Sequence, residues 1–187
     1  MMKLFFLIFV SLAFMGCKNK KEKVISSYEK VVVDENLVHN DTIQLLSKFP
    51  ELRLFRKEKM ESKTRTAYIV QNSGHRNFWL RFDNYKCKAT KEDDTLRISL
   101  SNYDGMISNG VLIKIFNGHF YIKDYDPKTL KGGIKFFNSK PEYQIVKLNK
   151  REYQKKDSIF GFIDYKCVIG GGELTKMMRG YFKTAAQ

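Results

Sequence analysis

The chain has 187 residues, in which 34 Lys and Arg stand against 20 Asp and Glu for a formal net charge of +14. Its length suits one domain large enough to bury a real core, and a charge of that size bears on partners and solubility rather than on fold. The three Cys and three His stand at no close spacing to one another, which excludes the local zinc motifs.

The chain opens with a basic start, Met1-Met2-Lys3. Leu4 to Met15 is then apolar except for Ser11, and Gly16-Cys17 follows at once. A basic start, an apolar run of about a dozen residues and a small residue at the cut are the parts of a secretory signal. The run falls short of the roughly 20 apolar residues that a membrane-spanning helix needs. With cysteine directly after the small residue, Phe14-Met15-Gly16-Cys17 resembles the lipobox of bacterial lipoproteins, small Bacteroidota-type ones included. Such boxes usually carry Leu, Val or Ile where Phe14 stands.

The resemblance implies cleavage before Cys17 and a thioether-linked diacylglycerol plus an N-acyl chain, palmitate-like, on that cysteine. Residues 1–16 are then a signal peptide, 17–23 a lipidated cysteine with a basic tether, and 24–187 a single β-rich domain. Loss of the first 16 residues removes one charge, Lys3, and leaves 171 residues with a net charge of +13. Several acyl chains hold a protein far more firmly than one.

Lys18-Asn19-Lys20-Lys21-Glu22-Lys23 reads as a polar tether, and each lysine near an anionic leaflet adds about 1 kcal/mol of attraction. It is unlike the acidic signal that follows the cysteine in surface-exported Bacteroidota lipoproteins. It also has Lys18 where many proteobacterial lipoproteins carry an Asp that retains them in the inner membrane. Both comparisons imply an envelope protein on the outer membrane, facing the periplasm. Export makes nucleic acid an unsuitable partner for the basic charge and leaves the membrane itself, an acidic protein or an anionic glycolipid. Lysines also serve to keep β edges unpaired.

Further along, Asp41 with Gln44 three residues later forms a capping box. Ile43, Leu46 and Phe49 recur about once per turn, and Pro50 stops this one short N-terminal helix. Strands are expected at Leu52 to Arg56, Thr66 to Gln71, Phe78 to Cys87 and Leu96 to Leu100. Turn clusters separate them at Asn72-Ser73-Gly74 and Lys91-Glu92-Asp93-Asp94. Val111 to Phe116 and His119 to Tyr125 flank Asn117-Gly118, the strongest short hairpin signal. More strands are expected at Ile134 to Phe137, Tyr143 to Leu148, Ile159 to Val168 and Leu174 to Thr184. About ten strands with no helix between them predict a mainly β fold, a single antiparallel β-sandwich or barrel.

Phe82-Asp83-Asn84-Tyr85-Lys86-Cys87 is echoed by Phe162-Ile163-Asp164-Tyr165-Lys166-Cys167, and alternation puts the Tyr and Cys of each segment on one face. Cys87 and Cys167 either form a disulfide in the oxidising compartment or are separate buried thiols. His39, His75 and His119 show no metal-ligand spacing, and His75 and His119 are expected to be exposed beside turns. Glu92-Asp93-Asp94 lacks the glycine and the spaced carboxylates of an EF-hand loop. Asp124-Tyr125-Asp126-Pro127 reads as turn chemistry. The serine in Gly105-Met106-Ile107-Ser108-Asn109-Gly110 misses nucleophile-elbow spacing, and Gly170-Gly171-Gly172 precedes a strand, as a hairpin turn does. Trp79 is a core or rim aromatic or a ligand-stacking ring.

No catalytic residue, metal ligand or cofactor site emerges from this pattern. The leading expectation is a non-catalytic β-domain that binds a protein or envelope glycolipid, an immunity-type role included. The alternatives are an envelope-acting enzyme, for which Asp83 or Asp164 would be the natural carboxylate, and a carrier of a small apolar ligand.

Overall fold

The computed structural model describes residues 28–53, 58–75, 78–103, 108–127 and 134–187. The N-terminal part contributes two short edge strands, β1 (Glu29–Lys30) and β2 (Val32–Val33), then a 3-10 turn over Glu35–His39 and helix α1 (Asp41–Leu46). Six strands follow: β3 (Ala67–His75), β4 (Phe78–Phe82), β5 (Tyr85–Glu92), β6 (Thr95–Tyr103), β7 (Ser108–Phe116) and β8 (His119–Asp126). The chain continues through β9 (Lys135–Phe136), β10 (Ser139–Leu148), β11 (Ser158–Ile169) and β12 (Leu174–Ala185).

The strands form two sheets, in agreement with the expected mainly β sandwich. The first has the order β1-β8-β7-β6-β5, with β9 beside β1 along the same edge of β8. The second has the order β2-β10-β11-β12-β3-β4. Every strand pair is antiparallel except β2 with β10. The sheets meet at one corner through the C-terminal end of β12. There Gln187 N donates to Ala89 O (3.0 Å) and Lys91 N donates to Gln187 O (2.9 Å). At the opposite corner Phe137 N donates to Asp124 O (2.9 Å) as the chain passes from β8 towards β10.

Period-two alternation decides which side chains enter the space between the sheets. The register row Ala89, Ile98, Ile113, Ile122 of the first sheet shares a core with Ile69, Val146 and Ile163 of the second, and Phe120, Leu148 and Phe182 extend it. Burial of each large apolar side chain contributes about 1.5–3 kcal/mol relative to exposure. The space is filled by protein: Tyr85, Tyr165, Phe120 and Phe182 are among the largest fully buried side chains.

The hairpin at Asn117-Gly118 forms as expected, with φ of 48° and 71°, the left-handed pair that a two-residue hairpin needs. Other expectations need correction. The helix is capped one residue earlier than the capping-box pattern indicates: Asn40 Oδ1 accepts from Thr42 N (3.1 Å) and Ile43 N (3.3 Å). Gln44 instead donates to Val38 O (2.5 Å). The helix ends at Leu46, well before Pro50, so Phe49 lies outside it and is exposed. Asn72-Ser73-Gly74 is strand rather than turn, because Ser73 and Gly74 pair across to Leu80 and Trp79 of β4. The run Phe78 to Cys87 is broken at Asp83-Asn84 into two strands that belong to different sheets. Leu52 and Arg53 form no strand, and 54–57 lie outside the described residues.

Candidate functional site

The two ends of the interior differ in polarity. Beyond the apolar layers, the inward positions on β3, β5, β6, β8, β11 and β12 become Gln71, Ser73, Tyr85, Asn102, Asp124, Tyr165, Cys167 and Lys176, all buried. Asp124 is the centre. Its Oδ1 faces Lys176 Nζ at 2.8 Å. Its Oδ2 accepts from the Tyr165 hydroxyl (2.6 Å) and from the Cys167 thiol (3.4 Å). Lys176 also reaches Gly110 O (3.4 Å). Nearby, the Tyr85 hydroxyl donates to Gln71 Oε1, and Gln71 Nε2 donates to Ser73 Oγ (2.7 Å).

These contacts set the ionisation of the cluster. Burial is the largest influence on Asp124 and pushes its carboxyl upward. The Lys176 charge, together with hydrogen bonds from Lys176, Tyr165 and Ser139, outweighs burial and holds the group below the usual carboxylate range. Burial first, and the Asp124 charge second, push the Tyr85 and Tyr165 hydroxyls up. Burial and the same charge push the Cys167 thiol up to about 12, and burial alone raises Cys87. The nucleophile-capable side chains here are therefore protonated hydrogen-bonding parts of the interior. Asn102 is fully buried, and among the described residues its amide has no hydrogen-bond partner.

Cys87 and Cys167 are both buried, with free thiols in this structure. Asp124 and Tyr125 belong to β8, as the expected strand from His119 to Tyr125 has them, and Asp126 extends it by one residue where turn chemistry was expected. The echoed segments both contribute to the cluster: Tyr165 and Cys167 bond Asp124, and Tyr85 feels its charge. Asp83 is exposed in the β4–β5 connection, where its carbonyl accepts from Arg65 Nη2 (3.0 Å). Asp164 lies on β11 with Arg179 Nε at 3.7 Å. Trp79 is 47% exposed on the edge strand β4, with Phe78 and Leu80 also exposed. Cys17, its signal and the tether lie outside the described residues.

The outward face of the first sheet has a different chemistry. Lys114 and Tyr121 are register partners on β7 and β8. Lys114 Nζ lies 5.8 Å and Lys123 Nζ 5.9 Å from the Tyr121 ring centroid. Lys123 also stands 5.6 Å over Phe136; at the edge, Lys135, the register partner of Asp126 and so on the opposite face from Phe136, stands 6.0 Å over Phe137. Tyr28 packs edge-on against Tyr121 at 5.2 Å. Lys114, Lys123 and Lys135 take part in none of the ion pairs found among the described residues. Their neighbours are aromatic faces, which attract a cation through the ring quadrupole.

In comparison with known proteins, the chain matches no family model, no curated sequence and no solved structure.

Proposed function

We propose that the chain is a lipid-anchored protein of the bacterial cell envelope, held through Cys17 on the outer membrane and facing the periplasm. Its β-domain binds an acidic partner and does no chemistry of its own. The observation that carries the binding reading is the set of lysines on the outer face of the first sheet and around the open edge of β8. Lys114, Lys123 and Lys135 lie over exposed or half-exposed rings and, among the described residues, form no ion pair with a carboxylate. The mature charge of +13 adds long-range attraction, which speeds encounter more than it tightens binding. The interior supports the same reading, since its Cys and Tyr groups are buried and held in their protonated forms.

Two measurements test the proposal. Labelling with a fatty-acid analogue is expected on the native protein and lost in Cys17→Ala; undiminished labelling of that variant overturns the anchor. A photo-crosslinker placed at Ser99, on the outer face of the first sheet, is expected to capture a partner in the native envelope, with a yield that falls in high salt. Capture that is insensitive to salt, or turnover of an envelope substrate by the purified protein, overturns the binding reading.

A further inference from the structure

The open edge of β8 carries a specific site. β1 covers this edge only at His119 and Phe120, and β9 covers it only at Tyr125 and Asp126. Between them, among the described residues, no strand pairs with Tyr121–Lys123. This interval is a groove of about 410 Å3, walled by Tyr28, Tyr121, Phe136, Phe137 and Pro141, with Asn138 and Ser139 beside them. Lys114, Lys123 and Lys135 crown the rings. The acidic residues of the same strands are Glu29 at one end, half-buried, Asp124, which is buried against Lys176, and Asp126 at the other end, already engaged in an interaction of its own.

We propose that this groove is a docking surface for the phosphate headgroups of the leaflet that carries the anchor. The domain then lies against the membrane with the outer face of its first sheet towards the lipid. The inference deepens the anchored-binding reading and rests on it for the choice of surface. Its first support is chemical. Lysines next to an anionic leaflet are attracted to it, and amphipathic aromatic rings settle at headgroup level. Protein–protein interfaces are depleted in Lys and use Arg instead, whereas the cations over these rings are all Lys.

The second support is positional. The described chain begins at Tyr28, which is itself a wall of the groove. Only ten residues lie between it and Cys17, a reach of at most about 40 Å over eleven Cα steps. A tether that joins the domain at the wall of the groove keeps the groove within reach of the membrane.

The test uses the full-length product, however its N-terminus is processed. It is mixed with phosphatidylcholine vesicles, with or without phosphatidylglycerol, and each lysine is followed by its rate of acetylation in a mass spectrometer. Lys114, Lys123 and Lys135 are expected to react about tenfold more slowly with the anionic vesicles. The rates should recover in about 0.5 M salt, where screening is short-ranged, while Lys63 and Lys155 are unchanged. Equal rates with both vesicles, or uniform protection of all five lysines, overturns the proposal.

In product that carries no lipid on Cys17, the triple variant Lys114→Gln, Lys123→Gln, Lys135→Gln should bind anionic vesicles about a hundredfold more weakly. A control with Lys48, Lys63 and Lys155 changed to Gln should bind almost as the parent does. Equal loss in the two variants means that net charge acts without a site, which also overturns the proposal. The mass of the N-terminal peptide reports lipid on Cys17 in the same experiment. Lipid without groove protection refutes docking alone, and groove protection without lipid refutes the anchor alone.

Discussion

Lys176→Met is the most informative single substitution, because it leaves the centre of the buried cluster as an uncompensated anion. Lys176 and Asp124 are 2% and 0% exposed, and their charged atoms are 2.8 Å apart. Breaking a buried pair by removing one partner costs about 3–5 kcal/mol, a large share of the 5–15 kcal/mol typical of a domain. Tyr165 and Cys167 still donate to Asp124, so the expected loss lies towards the lower end of that range.

The pH dependence supplies a second signature. In the native protein the Asp124 carboxyl is held below its usual value, so its contribution is present above the unfolded value near pH 4 and is lost as pH falls through the folded value. Without Lys176, burial dominates and the folded value rises above the unfolded one. The variant's deficit is then fully present at neutral pH and shrinks towards pH 4 as the carboxyl takes up its proton. The double variant Asp124→Asn, Lys176→Met removes the stranded charge and keeps an oxygen for the Tyr165 hydroxyl, so it should recover most of the loss. Urea unfolding followed by circular dichroism measures all three proteins. A single-variant loss below about 1 kcal/mol, typical of an exposed pair, would refute the reasoning. So would a double variant no more stable than the single.

Gly118→Val should lower stability by about 1–2 kcal/mol, since a β-branched residue resists the φ of 71° at this turn; a thermal midpoint equal to the parent's would contradict the hairpin assignment. Asn102→Leu should leave stability unchanged or raise it by about 1 kcal/mol, because it removes a buried amide with no partner. A clear loss in urea unfolding would show that the amide is satisfied by water or by a ligand. Cys87 and Cys167 should resist alkylation in the folded protein and both react in urea without reductant, as buried thiols with raised pKa do. A mass two hydrogens short with no uptake of reagent would show a disulfide instead.

Much of the fold was legible from local chemistry. The hairpin at Asn117-Gly118 was fixed by two residues that accept positive φ. β11 and β12 followed from runs of β-branched and aromatic residues, because a strand packed on one face needs that composition. The misreadings arose where long-range pairing overrode local preference. Asn72-Ser73-Gly74 has turn composition, yet β12 and β4 flank it and hold it extended. The absent side chain of Gly74 makes room for the Trp79 ring, which a Cβ there would approach to 2.7 Å. The strands at Glu29–Lys30 and Val32–Val33 carry no signal of their own, being two residues each and formed only because β8 and β10 present open edges.

The site was less legible, for a reason that the Asp124 cluster makes concrete. Asp124, Tyr125, Asp126 and Pro127 look like turn residues one by one, and although the expected strand runs to Tyr125, nothing local says that Asp124 is buried at the centre of a polar cluster. The lysine that makes burial of Asp124 tolerable stands 52 positions later at Lys176, in the other sheet. The echoed Tyr-x-Cys segments did point to the cluster. Alternation turned Tyr85 with Cys87, and Tyr165 with Cys167, to one side, and both sides proved to be the interior. What that reading lacked was the charge the two segments share. The lysine–aromatic face was hidden in the same way, since a run such as Tyr121-Ile122-Lys123 reads as plain alternation until β9 places Phe136 beneath Lys123 and β1 places Tyr28 against Tyr121. A cation in an exposed strand is ordinary. Three of them over rings, with no ion-pair partner among the described residues, form a surface suited to a counter-charge from outside the chain.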